Sequence, residues 1–413
     1  MPTTIRRAKP IHPVFSPDRE ATVIPEPLPA VPIGSYSGFL RPNDSLEARA
    51  VGDRFAADMT DGFLADFERS PAYCERNGES NPDKMVHVPT FTILNGIVYM
   101  TYYANTDTDG ETPSYQSARL SFCPLDDPDD LTVIDIQKAG DFLDGEEITG
   151  VYDTVLMHKD DRELYVLWTA KTTQYYRFYC VYDIETATLG PIRVNRFQVG
   201  DVVNDFSMSG IHHALSLNGI AHRPMFADIG IMQGITERVE DGEVWYYTGI
   251  YSGSFTAIAK SRDLVTWVFV ASPDFPNNSL WENATYVWGD RVYYFARQNE
   301  CLQAFLTYYD LKTGEWAKPF LVADDQSRSS FFRYRDRLFV MHAPKDRKGV
   351  GIVEVDLEDL TKTKPVLVAN MPTSCFYPFT KVYGDTLYVA YTVGRLHIRL
   401  TKVELERYDD QNG

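Results

Sequence analysis

Residues 87–103 read HVPTFTILNGIVYMTYY, and residues 282–297 read ENATYVWGDRVYYFAR. Each is a β-rich run, a polar tight turn, and a second run rich in Tyr, Val and Leu. The pattern recurs from Asp153 (DTVLMHKDDRELYVLW), Gln233 (QGITERVEDGEVWYYTG), Arg328 (RSSFFRYRDRLFVMHA) and Tyr377 (YPFTKVYGDTLYVAYT). Eight residues after each start stands a turn former: Asn95, Asp161, Asp241, Asp290, Asp336 and Asp385. Asn and Asp suit such turns because they tolerate a left-handed backbone. Twelve residues after each start stands Tyr99, Tyr165, Trp245, Tyr294, Val340 or Val389, all strand formers.

Further strands follow most of these hairpins, as in QYYRFYCVYDIE (174–185) and LQAFLTYYDLKTGEW (302–316), and the units recur every 46 to 80 residues. No sustained 3.6-residue apolar period appears, which excludes helical repeats. The expected fold is all-β: a β-propeller of four-stranded blades, six in number, with five and seven as the alternatives. The propeller is expected to span residues 85–413. Residues 1–84, rich in Pro and polar residues with one short helical stretch at 44–59, are expected to wrap the surface and donate the outer strand that closes the ring. Residues 200–232 interrupt the repeat and read as an inserted loop or short helix over one face.

The net charge of −18 argues against nucleic acid or an anionic membrane surface as a partner. Five cysteines without CxxC spacing form neither a metal-cluster motif nor a disulfide framework, and read as buried free thiols. No 18-residue apolar run and no apolar leader are seen, so the expected location is cytoplasmic by default, with a secreted mature form as the alternative. No cofactor is expected. Propellers sometimes hold a channel cation, but no ligand spacing here calls for a metal.

The innermost strand of every blade runs along the central channel, so equivalent positions at one end of these strands share a pocket. The six start positions are His87, Asp153, Gln233, Glu282, Arg328 and Tyr377. They are all different, all able to hydrogen bond or ionise, and together hold two carboxylates, an Arg, a His and a Tyr. A plain solvent-exposed rim would be expected to carry Lys, which is absent from the set.

Read this way, residues 85–405 resemble the sialidase-type propeller superfamily. His87-Val88-Pro89 stands where that family opens its first blade with Arg-Ile-Pro. Glu282 opens a later inner strand whose hairpin ends in Arg297, Arg328 falls at another carboxylate-binding position, and Tyr377 in CFYPF stands at the nucleophile position. SRDLVTW (261–267) is similar to the SxDLxxW turn of five-bladed furanosidases and reads as a structural turn.

The resemblance implies a carbohydrate-active enzyme acting on an oligo- or polysaccharide. In the leading reading, a glycoside hydrolase, Asp153 is the acid/base, and Glu282 is either the nucleophile or the group that polarises Tyr377. Arg328 and Arg297 hold an acidic substituent, with Gln233, Trp281, His212 and His213 as further substrate contacts. The alternative is a polysaccharide lyase using His87 and Tyr377 as base and acid, with Arg328 neutralising a uronate. A non-catalytic glycan- or protein-binding propeller is the third.

Overall fold

The computed structural model describes residues 46–408 except 226–228, 232–233, 274–279, 299–302 and 345–346. Six antiparallel-built sheets, each of four or more strands, form the blades. Blade 1 is Met85–Leu94, Ile97–Asn105, Ser117–Pro124 and Thr132–Lys138. Blade 2 begins with Gly150–His158, Glu163–Lys171 and Tyr175–Asp183; blade 4 with Leu280–Trp288, Arg291–Gln298 and Gln303–Asp310. Blade 5 is Ser330–Tyr334, Arg337–His342, Gly349–Val355 and Lys364–Asn370.

Blade 3 is the largest. Its inner edge is split into Ile229–Ile231 and Thr236–Glu240, both paired with Glu243–Ser252; Phe255–Ser261 and Thr266–Ala271 follow. The segment expected as an inserted loop or short helix carries a helix, and the strands leading into it extend this blade outward. The strand Arg196–Val199 pairs in parallel with Thr266–Ala271 and forms a hairpin with Val202–Asp205. The helix Met208–Leu217, capped by the Ser207 hydroxyl on the Gly210 amide, packs on that hairpin. Its Ile211, Ala214 and Leu215 are apolar residues at i, i+3 and i+4, and all three are buried in the core shared by blades 2 and 3.

Blade 6 is Phe376–Tyr383, Thr386–Val393 and His397–Glu404, and its outer strand is Phe63–Asp66. Ala65 pairs with Leu400 and Asp66 with Arg399, so the strand sequence-remote from the blade closes the ring. The Arg399 guanidinium grips Asp66 through Nε and Nη2, both at 2.9 Å, and Glu68 accepts from the Ile398 amide at 3.0 Å. The helix Leu46–Asp61 then lies on the outer strand of blade 5. It approaches so closely at Gly52 that an added Cβ would meet the Val368 carbonyl oxygen at 2.2 Å, which explains a glycine inside a helix.

Apolar side chains of each blade pack on the next, giving six principal core clusters, one at each of the six junctions around the ring. Polar pairs stitch the inner strands: Thr90 Oγ1 accepts from the Leu156 amide at 2.7 Å, and Ser330 Oγ accepts from the Thr380 hydroxyl at 2.8 Å. In SRDLVTW the Asp263 carboxylate accepts from the Val265 and Thr266 amides while Trp267 is buried, the arrangement of a structural turn. Cys74, Cys123, Cys180 and Cys375 are free and buried; Cys301 lies outside the described residues.

The hairpin turns split into two registers. Asn95-Gly96 and Asp241-Gly242 have both residues at positive φ, the type I′ pattern, with the Asn or Asp first. In Gly289-Asp290, Arg335-Asp336 and Gly384-Asp385 the left-handed residue comes first and the Asp second. Counting back a fixed number from the turn former is therefore one residue out between the two sets. That slip matters at the site.

Candidate active site

The inner strands of blades 1, 2, 4 and 6 each shift register near their first turn of pairing: between His87 and Thr90, Tyr152 and Val155, Leu280 and Asn283, Phe376 and Phe379. At three of these bulges a non-glycine residue is held left-handed: Val88 at φ 57°, Asp153 at 49° and Tyr377 at 57°. For Val and Tyr this backbone is costly, on the order of 1–3 kcal/mol, and persists only where surrounding structure enforces it. The bulge turns these side chains out of the strand alternation and toward a cavity of about 280 Å³.

Asp153, Glu282, Arg328, Arg297 and Tyr377 all line that cavity. Arg328 lies between the two carboxylates: Nε donates to Glu282 Oε1 at 3.1 Å and Nη2 to Asp153 Oδ1. Arg297 Nη1 donates to Glu282 Oε2 and stands 3.4 Å from the Tyr377 hydroxyl. The Glu282 carboxylate lies close enough to Tyr377 to act on its phenol electrostatically. Three blades thus place a Tyr, a Glu and two Arg in one network. Arg328 is almost wholly buried, and its Nη1 has no hydrogen-bond partner among the described residues, so one donor is left for something the protein does not supply.

Burial by itself would raise the Glu282 carboxyl, but Arg297 and Arg328 outweigh it and hold it below the ordinary carboxylate range. Burial and the neighbouring Glu282 charge raise the Tyr377 phenol, against the pull of Arg297, Arg328 and Arg347. Tyr377 is thus a neutral hydroxyl beside an ionised carboxylate that can take its proton.

Asp153 is held on every side. Its Oδ1 receives Arg328, its Oδ2 receives the Tyr251 hydroxyl, and its carbonyl oxygen accepts from Arg177 at 2.7 Å. That makes it the counter-ion of Arg328.

The slip in turn register explains His87. Val88, not His87, occupies the position that Asp153 and Tyr377 fill in their blades, and Val88 lines the cavity. His87 sits behind it, its ring centroid 4.4 Å from that of Tyr377 and its Nδ1 3.1 Å from the Thr392 hydroxyl. Burial, then the nearby Arg395, Arg347, Arg328 and Arg297, hold its pKa well below the ordinary imidazole value. It supports the Tyr377 ring edge-on and does not reach the cavity, which removes the base of the uronate-elimination reading.

The other expected contacts divide. His212 and His213 ride on the helix at the outer edge of blade 3, where His212 meets His222 at 2.8 Å and His213 meets Asn204 at 3.1 Å. Neither lines the cavity. Gln233 and the side chain of Trp281 lie outside the described residues.

Residues not anticipated complete the wall. Tyr103 and Tyr251 come from the ends of second strands, Glu111 and Arg347 from the loops beyond. The Tyr103 hydroxyl donates to Glu111 Oε1 at 2.6 Å, and Arg395 pairs with Oε2 at 2.9 Å. Behind the wall, Asp325 is fully buried, accepting from Ser329 Oγ at 3.0 Å, and burial pushes its pKa up to about 7. Second strands end on the same face where first strands begin, so the far end of each hairpin is the signal that finds Tyr103, Tyr251 and Arg297 alike.

The same architecture occurs in solved sialidases. Trypanosoma rangeli sialidase aligns at a TM-score of 0.57 and 14% identity, over 83% of this chain and 58% of that one. The T. rangeli sialidase in complex with sialic acid aligns at 0.51 and 13%, over 90% and 60%. Hadza microbial sialidase Hz136 aligns at 0.52 and 11%, over 78% and 66%. The chain therefore spans less than two thirds of the length of these proteins. No family model matches, and no curated protein matches by sequence. The fold is that of the sialidase-type β-propeller.

Proposed function

We propose that the protein is a glycoside hydrolase acting at a glycosidic bond to an acidic sugar, with the reaction centred on Tyr377. The observation that carries this reading is the Tyr377–Glu282–Arg297–Arg328 network at the floor of the cavity. The Tyr377 oxygen attacks the anomeric carbon as its proton passes to Glu282. A neutral attacker approaches an anionic sugar without the repulsion a carboxylate would meet. The spare Nη1 of Arg328 and the guanidinium of Arg347 receive the substrate's acidic group. Glu111 protonates the leaving oxygen; its side chain is 31% exposed at the rim, against 6% for Asp153, which serves Arg328 instead. Water then attacks the same carbon, Glu111 taking its proton while Glu282 returns the first proton to the departing Tyr377 oxygen. A solved structure described as T. rangeli sialidase in complex with sialic acid shares the fold and supports an acidic sugar as the substrate class.

The test is product analysis on a panel of sialosides and uronic-acid glycans. Released saturated acidic sugar, lost in Tyr377→Phe with an unchanged circular dichroism spectrum, supports the reading. Absorbance near 235 nm from an unsaturated uronate, or full activity in Tyr377→Phe, overturns it.

A further inference from the structure

We propose that the central channel, where it opens at the turn ends of the inner strands, is a second ligand site that takes a small organic carboxylate on Lys381. The site is independent of the Tyr377 chemistry. Tyr377 and Lys381 stand on one strand, Phe376–Tyr383, but line different cavities: Tyr377 the smaller, Lys381 one of about 730 Å³. All six blades contribute to its wall, among them Thr92, His158, Thr236, Tyr286 and Phe331.

Lys381 lines this wall together with Arg333 and Arg335. Its ammonium has three donors, and among the described residues it gives one hydrogen bond, to Thr92 Oγ1 at 3.3 Å. No carboxylate among the described residues forms an ion pair with it; Glu237 acts on it from further away. Burial in the channel wall lowers its pKa to about 8, which leaves most of it charged at neutral pH. The Thr92 hydroxyl is shared with His158 Nε2 at 3.0 Å, and the buried Thr236 hydroxyl in the same wall has no hydrogen-bond partner. An ammonium with two unused donors in the wall of an open channel is the complement of an anionic oxygen.

Size and charge narrow the class. The cavity lies within the range of small-molecule sites and far exceeds what an inorganic ion fills. The tyrosine and phenylalanine walls suit an organic body with polar edges. One ammonium balances one carboxylate, whereas a doubly charged phosphate would leave net negative charge in a channel with the Glu237 carboxylate already facing it. Arg333 and Arg335 stand on the rim, Arg333 stacked 4.5 Å from the Trp288 ring centroid and Arg335 3.9 Å from Asp385, where they draw anions toward the mouth.

The test uses the full chain with its lysines reductively ¹³C-dimethylated, which keeps the charge. The Lys381 signal is identified by its absence from Lys381→Arg. Sodium glucuronate should shift this signal saturably, inorganic phosphate and sodium chloride at matched ionic strength should not, and calorimetry should show glucuronate bound at least tenfold more weakly by Lys381→Met. A Lys381 signal unmoved by glucuronate, a shift that chloride or phosphate reproduces, or unchanged affinity in Lys381→Met would each overturn the proposal.

Discussion

Replacing Asp325 by Asn should make the protein more stable at pH 8 and leave it unchanged at pH 4. Asp325 is fully buried behind the reactive cavity, and burial, with Glu282 adding to it, pushes its pKa up to about 7 from an ordinary 3.8. The folded state therefore prefers the neutral carboxyl. In the unfolded chain the same group ionises at its ordinary value. The favourable contribution of the protonated form is fully present below about pH 4, declines as pH rises, and is gone above about 7. A shift of about three units corresponds to roughly 4 kcal/mol as an upper bound, since each unit is about 1.4 kcal/mol. Asn carries no charge at any pH and keeps one acceptor for Ser329. The assay is urea unfolding of both proteins from pH 4 to 9, with the difference plotted against pH so that all other titrations cancel. The expected curve starts to rise near pH 4 and climbs to a plateau of a few kcal/mol in favour of Asn above about pH 7. A pH-independent difference, or a variant less stable at pH 8, would refute the reasoning.

Other perturbations reach the rest of the molecule. Glu282→Gln should cut kcat by about 10²- to 10⁴-fold on an active substrate, as loss of a proton acceptor does. Because Arg297 and Arg328 hold Glu282 low, the acid limb of wild-type kcat/KM should fall off below pH 4.5, which a pH–rate profile reads directly. Gly52→Ala, which drives a methyl into the Val368 carbonyl, should lower the melting temperature by several degrees in a thermal scan. His397 is raised by its hydrogen bond to Glu68, so its small contribution to closing the ring, below about 1 kcal/mol because the imidazole is half-exposed, is present below pH 6.5 and lost as pH rises through its folded value. Comparing wild type with His397→Gln in urea at pH 6 and pH 9 measures that loss.

The ring was legible because each blade repeats a hairpin, and hairpins announce themselves locally through Asn, Asp and Gly at the turn. What the repeat could not convey is which loop position the Asp takes. Asn95 precedes its glycine and Asp290 follows its own, and that one-residue difference moved His87 into a site that Val88 occupies. Glu282, Asp153 and Tyr377 share one cavity because bulged first strands carry them there, and Arg328 joins them from just ahead of the unbulged first strand of blade 5. Tyr251, Glu111 and Arg347 escaped because they arrive from strand ends and loops whose lengths differ from blade to blade. Asp325 escaped for another reason. Its character comes from burial between residues of blades 4 and 5, which no local pattern encodes.

The central claim is that the Tyr377 oxygen forms the bond to the sugar. It is tested most directly by incubating the protein with a fluorinated acidic sugar carrying an activated leaving group, then mapping the adduct by peptide mass spectrometry. The account predicts one sugar equivalent attached to Tyr377, absent from Tyr377→Phe. An adduct on Glu282, or substrate turnover with Tyr377 unmodified throughout, would contradict it.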